Sequence, residues 1–133
     1  MNLPLPCDTP PRTSILVVDD DEGMRESICD MLSSKYRVTL AIDGLDGYVK
    51  AHEQPQPDLI IADVSMPRLD GIAMVRRLRE NHVLRHVPII FLTGQTSLAK
   101  LIAVSSVGSF AYLAKPTDAD VLEKTVEEAL IGA

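Results

Sequence analysis

Short runs of consecutive aliphatic residues alternate along this chain with longer stretches whose apolar residues recur at helical spacing. Ile15-Leu16-Val17-Val18 is the first run, and it stops abruptly at Asp19-Asp20-Asp21-Glu22. Met24, Ile28, Met31 and Leu32 then fall at i, i+4, i+7 and i+8, which is one face of a helix. Arg37–Ala41 is β-branched and aliphatic and predicts a second strand. Gly44–Glu53 predicts a modest helix bounded by Pro55 and Pro57. Leu59-Ile60-Ile61-Ala62 is a third strand run, ending at Asp63, and Ile72, Val75 and Leu78 mark the helix after it. Pro88 opens Ile89-Ile90-Phe91-Leu92, which ends at Thr93-Gly94. A fourth helix is predicted over roughly Thr96–Val107, a fifth strand over Ala111–Ala114, and a last helix over Ala119–Ile131 with Asp118 as its N-cap.

This pattern is five strand–helix units. Apolar strands without alternation indicate a parallel sheet covered on both faces. Right-handed crossovers then give a doubly wound α/β sandwich of three layers. Met1–Thr13 stands apart: it carries Pro4, Pro6, Pro10 and Pro11 and no periodicity, and it predicts an extended, mobile tail over 1–13 ahead of a folded domain over 14–133.

Ligands of such sheets bind outside the carboxyl ends of the strands. Strand one ends in Asp19-Asp20, strand three in Asp63, strand four in Thr93 and strand five in Lys115. Three carboxylates brought within several Å repel one another, and a divalent cation is the usual reason a fold bears that cost. Mg²⁺ prefers hard oxygen ligands and shares its octahedron with water and phosphate. The Lys adds a second positive charge and the Thr a neutral donor, a set suited to a phosphoryl group. Asp21 and Glu22 read as helix-start acids favoured by the macrodipole, not as ligands.

Composition narrows the options. The 133 residues suit one domain. With 13 Lys+Arg against 19 Asp+Glu, the net charge of −6 disfavours sequence-independent nucleic-acid binding. No apolar run reaches the ~18–20 residues of a membrane span. No basic leader precedes an apolar stretch at the N-terminus, so no signal peptide is expected. Cys7 and Cys29 form no disulfide framework, and a cytoplasmic location is expected.

Ile15-Leu16-Val17-Val18-Asp19-Asp20, Asp63-Val64-Ser65-Met66-Pro67, Asp70-Gly71, Thr93-Gly94 and Tyr112-Leu113-Ala114-Lys115-Pro116 together resemble the receiver domain of two-component response regulators. The resemblance runs from about Ser14 to Ile131, and the five motifs in order are specific where each alone is weak. It implies a flavodoxin-like, chemotaxis-regulator-like fold with strand order 2-1-3-4-5. Asp63 would be the phosphoacceptor. Asp19, Asp20 and Asp63 would hold Mg²⁺ with the backbone carbonyl of Ser65. Thr93 would sense the phosphoryl group, Lys115 would pair with its oxygens, and Tyr112 would be the switch residue. The Lys115–Pro116 bond is expected to be cis. The implied partners are a sensor histidine kinase or phosphotransfer protein upstream, and an effector reached through helix four, strand five and helix five. Neither nucleic acid nor membrane is an expected partner. Ser65 and Gln95 would tune phosphoryl lifetime. Three places depart from the family pattern: Thr117 where Phe is usual, Ser109-Phe110 after Gly108, and Gly47-Tyr48 in helix two.

Other readings are weighed on residues. A Mg-dependent phosphohydrolase with an aspartyl nucleophile wants an Asp two residues after that nucleophile, and Ser65 stands there. A flavodoxin-type nucleotide or flavin carrier wants a Gly- or Ser-rich phosphate loop where Asp19-Asp20-Asp21-Glu22 stands. Arg68, Arg76, Arg77, Arg79 and Arg85 form the one basic stretch, which reads as a solvated helix face. His52, His82 and His86 show no ligand spacing, and Cys29 reads as a core-edge thiol. Leu98, Leu101, Ile102, Val104 and Val107 cover most of the fourth helix, more than a single apolar stripe, and predict either an unusually buried helix or, as the preferred reading, an outer face that binds something.

Overall fold

Aliphatic runs that bury both faces need covering layers on either side, and the chain supplies them in strict alternation. The computed structural model describes residues 12–94 and 98–132, with the side chains of 98–101 excepted. The elements are β1 (Ser14–Val18), α1 (Glu22–Leu32), β2 (Arg37–Ala41), α2 (Gly44–Ala51), β3 (Leu59–Ala62), α3 (Gly71–Leu78), β4 (Ile89–Thr93), α4 (Leu98–Ser106), β5 (Ala111–Ala114) and α5 (Ala119–Gly132). A short 3-10 turn, Leu84–His86, precedes β4 and was not legible in the hydrophobic pattern. The strands pair in parallel in the order β2-β1-β3-β4-β5, the doubly wound sheet expected.

Successive strand residues face opposite layers. Leu16, Val18, Ile60, Ala62, Ile89 and Phe91 pack with Ala51, Met74, Val75, Leu78, Val104 and Val107. Their neighbours Ile15, Val17, Leu59, Ile61, Ile90 and Leu92 pack with Ile28, Leu32, Leu122, Val126 and Ala129. One core therefore lies under α2, α3 and α4, the other under α1 and α5. β1, β3 and β4 are buried along their whole length, as continuous apolar runs should be. β2 alternates exposed and half-buried residues up to Ala41, and β5 is half-buried, because each is an edge.

Helix starts follow from local chemistry. Asp21, Asp43, Asp70 and Asp118 each accept a backbone N–H from the first turn of the helix that follows. Each thereby satisfies a donor the helix leaves open. Gly47, one of the departures, is where α2 meets the sheet: a Cβ there would lie 2.8 Å from Val18 and from Met74.

The predicted tail falls outside the described residues except for Arg12 and Thr13. Arg12 donates to the Ser33 carbonyl at 3.1 Å, and the Thr13 carbonyl accepts the Arg37 N–H at 2.9 Å.

Candidate functional site: the acidic strand ends

β1 and β3 are neighbours with Val18 opposite Ala62, so the residues after them emerge side by side. The ladder continues one step further: Asp63 N–H donates to Val18 O at 3.0 Å, and Asp19 N–H to Ala41 O at 3.1 Å. Backbone pairing thus fixes where both carboxylates start. One carboxylate oxygen from each of Asp19, Asp20 and Asp63 lies within 4.8 Å of the others. Asp19 and Asp63 are buried, and Asp20 is exposed at the rim.

Lys115 reaches this cluster from the far edge of the sheet. Its N–H donates to Thr93 O at 2.9 Å, and the Lys115–Pro116 bond is cis, as expected. Gln54–Pro55 is cis as well. The Lys115 Nζ donates to Asp19 Oδ2 at 2.6 Å and to Asp63 Oδ2 at 2.9 Å, bridging the two buried carboxylates. Their second oxygens take backbone donors: Asp21 N–H on Asp19 Oδ1 at 2.9 Å, and Ser65 N–H on Asp63 Oδ1 at 3.3 Å.

The balance of charge shows in the proton affinities. Burial pushes the Asp19 carboxyl above its usual 3.8, although Lys115 and the Asp21 N–H pull it down. Burial alone would depress the Lys115 ammonium, but its two carboxylates outweigh that and hold it above 10.5. A folded Asp19 that binds its proton more tightly than the unfolded chain costs stability as pH rises from 3.8 through the folded value. One ammonium among three carboxylates leaves the pocket short of positive charge. An all-oxygen donor set with that deficit fits a hard divalent cation.

The remaining predicted residues fall around the cluster. Thr93 is buried at the end of β4. Tyr112 is half-buried on β5 and packs against the core cluster that includes Val104 and Val107. Ser65 is half-buried in the loop from β3 to α3. Gln95 lies outside the described residues. That loop is closed by Gly71, whose N–H donates to Val64 O at 2.9 Å. A Cβ at Gly71 would sit 2.0 Å from the carbonyl oxygen of Asp63.

The contacts of Arg25 and Arg79 went unread in the sequence. Arg25 donates to the Asp19 carbonyl at 2.7 Å, a link from the first turns of α1 that no motif signals. Arg79 corrects the solvated-face reading. It is half-buried and donates to the carbonyls of Arg85 (2.7 Å), Val87 (2.9 Å), Gly108 (3.2 Å) and Val107 (3.3 Å). Arg76 and Arg77 are exposed, as expected. Of the predicted α4 belt, Ile102 is 63% exposed while Val104 and Val107 are buried, and the side chains of Leu98 and Leu101 lie outside the described residues. Among the described residues no helix is long and apolar enough to cross a membrane.

Residues 15–127 match the response regulator receiver domain family. The chain is 36% identical over 121 residues to the response regulator Rre1 of Synechocystis, covering 88% of this chain and 51% of that protein. It is 41% identical over 103 residues to the response regulator MprA of Mycobacterium ulcerans, covering 77% and 43%. It thus spans about half the length of these curated relatives or less. Among solved structures it superposes on the chemotaxis protein CheY4 of Vibrio cholerae with TM-score 0.82 and 32% identity, covering 89% of this chain and 98% of that one. It superposes equally, at TM-score 0.82 and 33% identity over 92% and 99%, on the receiver domain of the sensor histidine kinase PA1611 of Pseudomonas aeruginosa, whose structure holds a magnesium ion in the active-site cleft. Matched over most of its length by family, relatives and structures alike, this chain belongs to the response regulator receiver domains.

Proposed function

We propose that the domain is a phosphorylation-controlled switch whose phosphoacceptor is Asp63. The carrying observation is the convergence of Asp19, Asp20 and Asp63 within 4.8 Å around a shared Lys115 ammonium. Asp19, Asp20, Asp63 and the Ser65 carbonyl are the groups that would hold Mg²⁺. When bound, that ion supplies the positive charge that lets a dianionic phosphoryl group enter among carboxylates. The donor is the phosphohistidine of a sensor histidine kinase or phosphotransfer protein.

Asp63 attacks phosphorus with a carboxylate oxygen. The O–P bond forms as the P–N bond to the donor imidazole breaks, and the imidazole leaves with the electron pair of that bond. Lys115, already on Asp63 Oδ2, pairs with the phosphoryl oxygens, and the Thr93 hydroxyl donates to them. No external metabolite is turned over, so the reaction is a self-catalysed transfer. The added charge of about −1.5 to −2 draws Thr93 and Lys115 inward. Tyr112 follows, and the face of α4, β5 and α5 changes toward its effector. Ser65, two residues after Asp63, is no general acid, which argues against the phosphohydrolase reading.

Intact-mass measurement after incubation with Mg²⁺ and acetyl phosphate tests this. Wild type gains one base-labile phosphoryl group, EDTA prevents the gain, and Asp63→Ala folds but takes none. Normal labelling of Asp63→Ala contradicts the assignment.

A further inference from the structure

The loop from β3 to α3 holds a backbone conformation that its sequence does not favour. Arg68 sits at φ 68°, and among the described residues it alone bears a side chain at positive φ. That left-handed region crowds a Cβ and usually belongs to Gly or Asn. Surrounding contacts must hold it there.

Those contacts lie at the start of α2, on its N-cap Asp43 and its first residue Gly44. The Arg68 Nη2 pairs with Asp43 Oδ2, whose side chain is only 3% exposed. Asp43 Oδ1 meanwhile accepts the Asp46 N–H at 2.8 Å and caps α2. A buried carboxylate needs hydrogen bonds and a counter-charge, and Arg68 supplies the charge. The Asp46 N–H, helped by Arg68, keeps the Asp43 carboxyl below its usual range despite burial. One residue on, the Leu69 carbonyl rests against Gly44, where a Cβ would lie 1.9 Å from that oxygen. Arg68-Leu69 and Asp43-Gly44 therefore interlock through one ion pair and one backbone contact. The Asp63–Gly71 contact pins the two ends of the loop together. Ser65 lies between, with its N–H on Asp63.

We infer that the Arg68–Asp43 pair is a latch that positions the β3–α3 loop, and with it the Ser65 carbonyl, for cation binding and phosphoryl transfer at Asp63. The inference rests on the functional reading above. Neither residue touches the reacting atoms, so both are positioning residues. The Arg68 side chain is 61% exposed, so the latch is open to solvent and salt.

The test compares wild type with Arg68→Ala, Arg68→Gly, Arg68→Lys, Asp43→Asn and the double variant Arg68→Ala/Asp43→Asn. All are studied well below their melting temperatures. Two quantities are read: the Mg²⁺ dissociation constant from amide NMR titration, and hydrogen exchange of the amides of Ser65, Met66, Arg68, Leu69 and Asp70 without metal. Arg68→Ala should weaken Mg²⁺ binding about three- to tenfold, at or below the low end for outer-shell partners, and should speed exchange in the loop. Arg68→Lys should restore most of both. Arg68→Gly relieves the backbone and should regain thermal stability without regaining Mg²⁺ affinity, which a merely structural role would not separate. Asp43→Asn keeps a capping oxygen yet should match Arg68→Ala, and the double variant should be no worse than either single one. Wild-type affinity and exchange in the single variants, or losses that add in the double, overturn the latch alone. A wild-type protein that takes neither Mg²⁺ nor phosphoryl group overturns the functional reading and the latch with it.

Discussion

Asp19 and Asp63 leave strands that are buried along their whole length, whereas Lys115 leaves an edge strand, β5, in which no residue is fully buried. The pocket therefore has two walls of different stiffness. On the acid wall, ladder hydrogen bonds run on into both aspartates, and Gly71 lies so close behind Asp63 that there is no room for a Cβ. Close-packed interiors resist displacement, so repelling carboxylates there cannot drift apart to relieve their charge. On the basic wall, Tyr112 is half-buried, Ile102 of α4 is 63% exposed and Phe110 is 45% exposed. Local openings come from such thinly packed segments. The difference teaches where a change of charge at Asp63 will be felt. On the proposed reading the acid wall should stay, and Lys115, Tyr112 and their neighbours should move.

The largest effect should separate two glycines. Gly71→Ala would place a methyl against the Asp63 carbonyl and force the acid wall to shift, at a cost of about 3 kcal/mol or more. For a domain of this size that lowers the melting temperature by roughly 10 °C or more. Gly94 follows β4 on the other side of the pocket and, among the described residues, has nothing within 4 Å of an added Cβ. Gly94→Ala should stay within about 0.5 kcal/mol of wild type. Equal losses in the two variants break the comparison.

A smaller effect concerns movement. Beryllofluoride with Mg²⁺ would imitate the phosphoryl group proposed on Asp63. Amide shifts should extend from the pocket through Tyr112 into the backbone of α4, while the interiors of β1 and β3 stay near their starting positions. States a few kcal/mol apart suffice for this. Shifts confined to the pocket would show that the basic wall is as fixed as the acid one.

Much of this was legible along the chain. Continuous apolar runs mark β1, β3 and β4 because their burial is complete, and a parallel α/β sheet puts its working residues at strand ends. Asp19, Asp20, Asp63, Thr93 and Lys115 follow from that rule together with the receiver-domain motifs. What escaped depends on contacts between distant segments. Arg79 has the spacing of a solvated residue, yet the chain around Leu84–His86 and the end of α4 surround it with carbonyls. Arg68 reads as one of a basic group, and only the fold brings it to Asp43, 25 residues earlier in number. Gly47 stands out along the chain only as a departure from the family pattern, and only the packing of α2 on Val18 explains it.

The most direct test of the central claim, that three carboxylates form one cation-dependent centre, is the melting of Asp20→Asn with and without metal. Without metal, Asp20 adds a third negative charge to a pocket where burial already raises the Asp19 pKa. Mg²⁺ that binds only the folded centre should stabilise wild type by about 1.4 kcal/mol at ~10 times its dissociation constant, roughly 3–6 °C in melting temperature. Asp20→Asn removes a repelling charge and a ligand together. It should melt higher than wild type in EDTA and gain little from Mg²⁺. Asp20→Asn that melts lower than wild type in EDTA and still responds fully to Mg²⁺ would contradict the account.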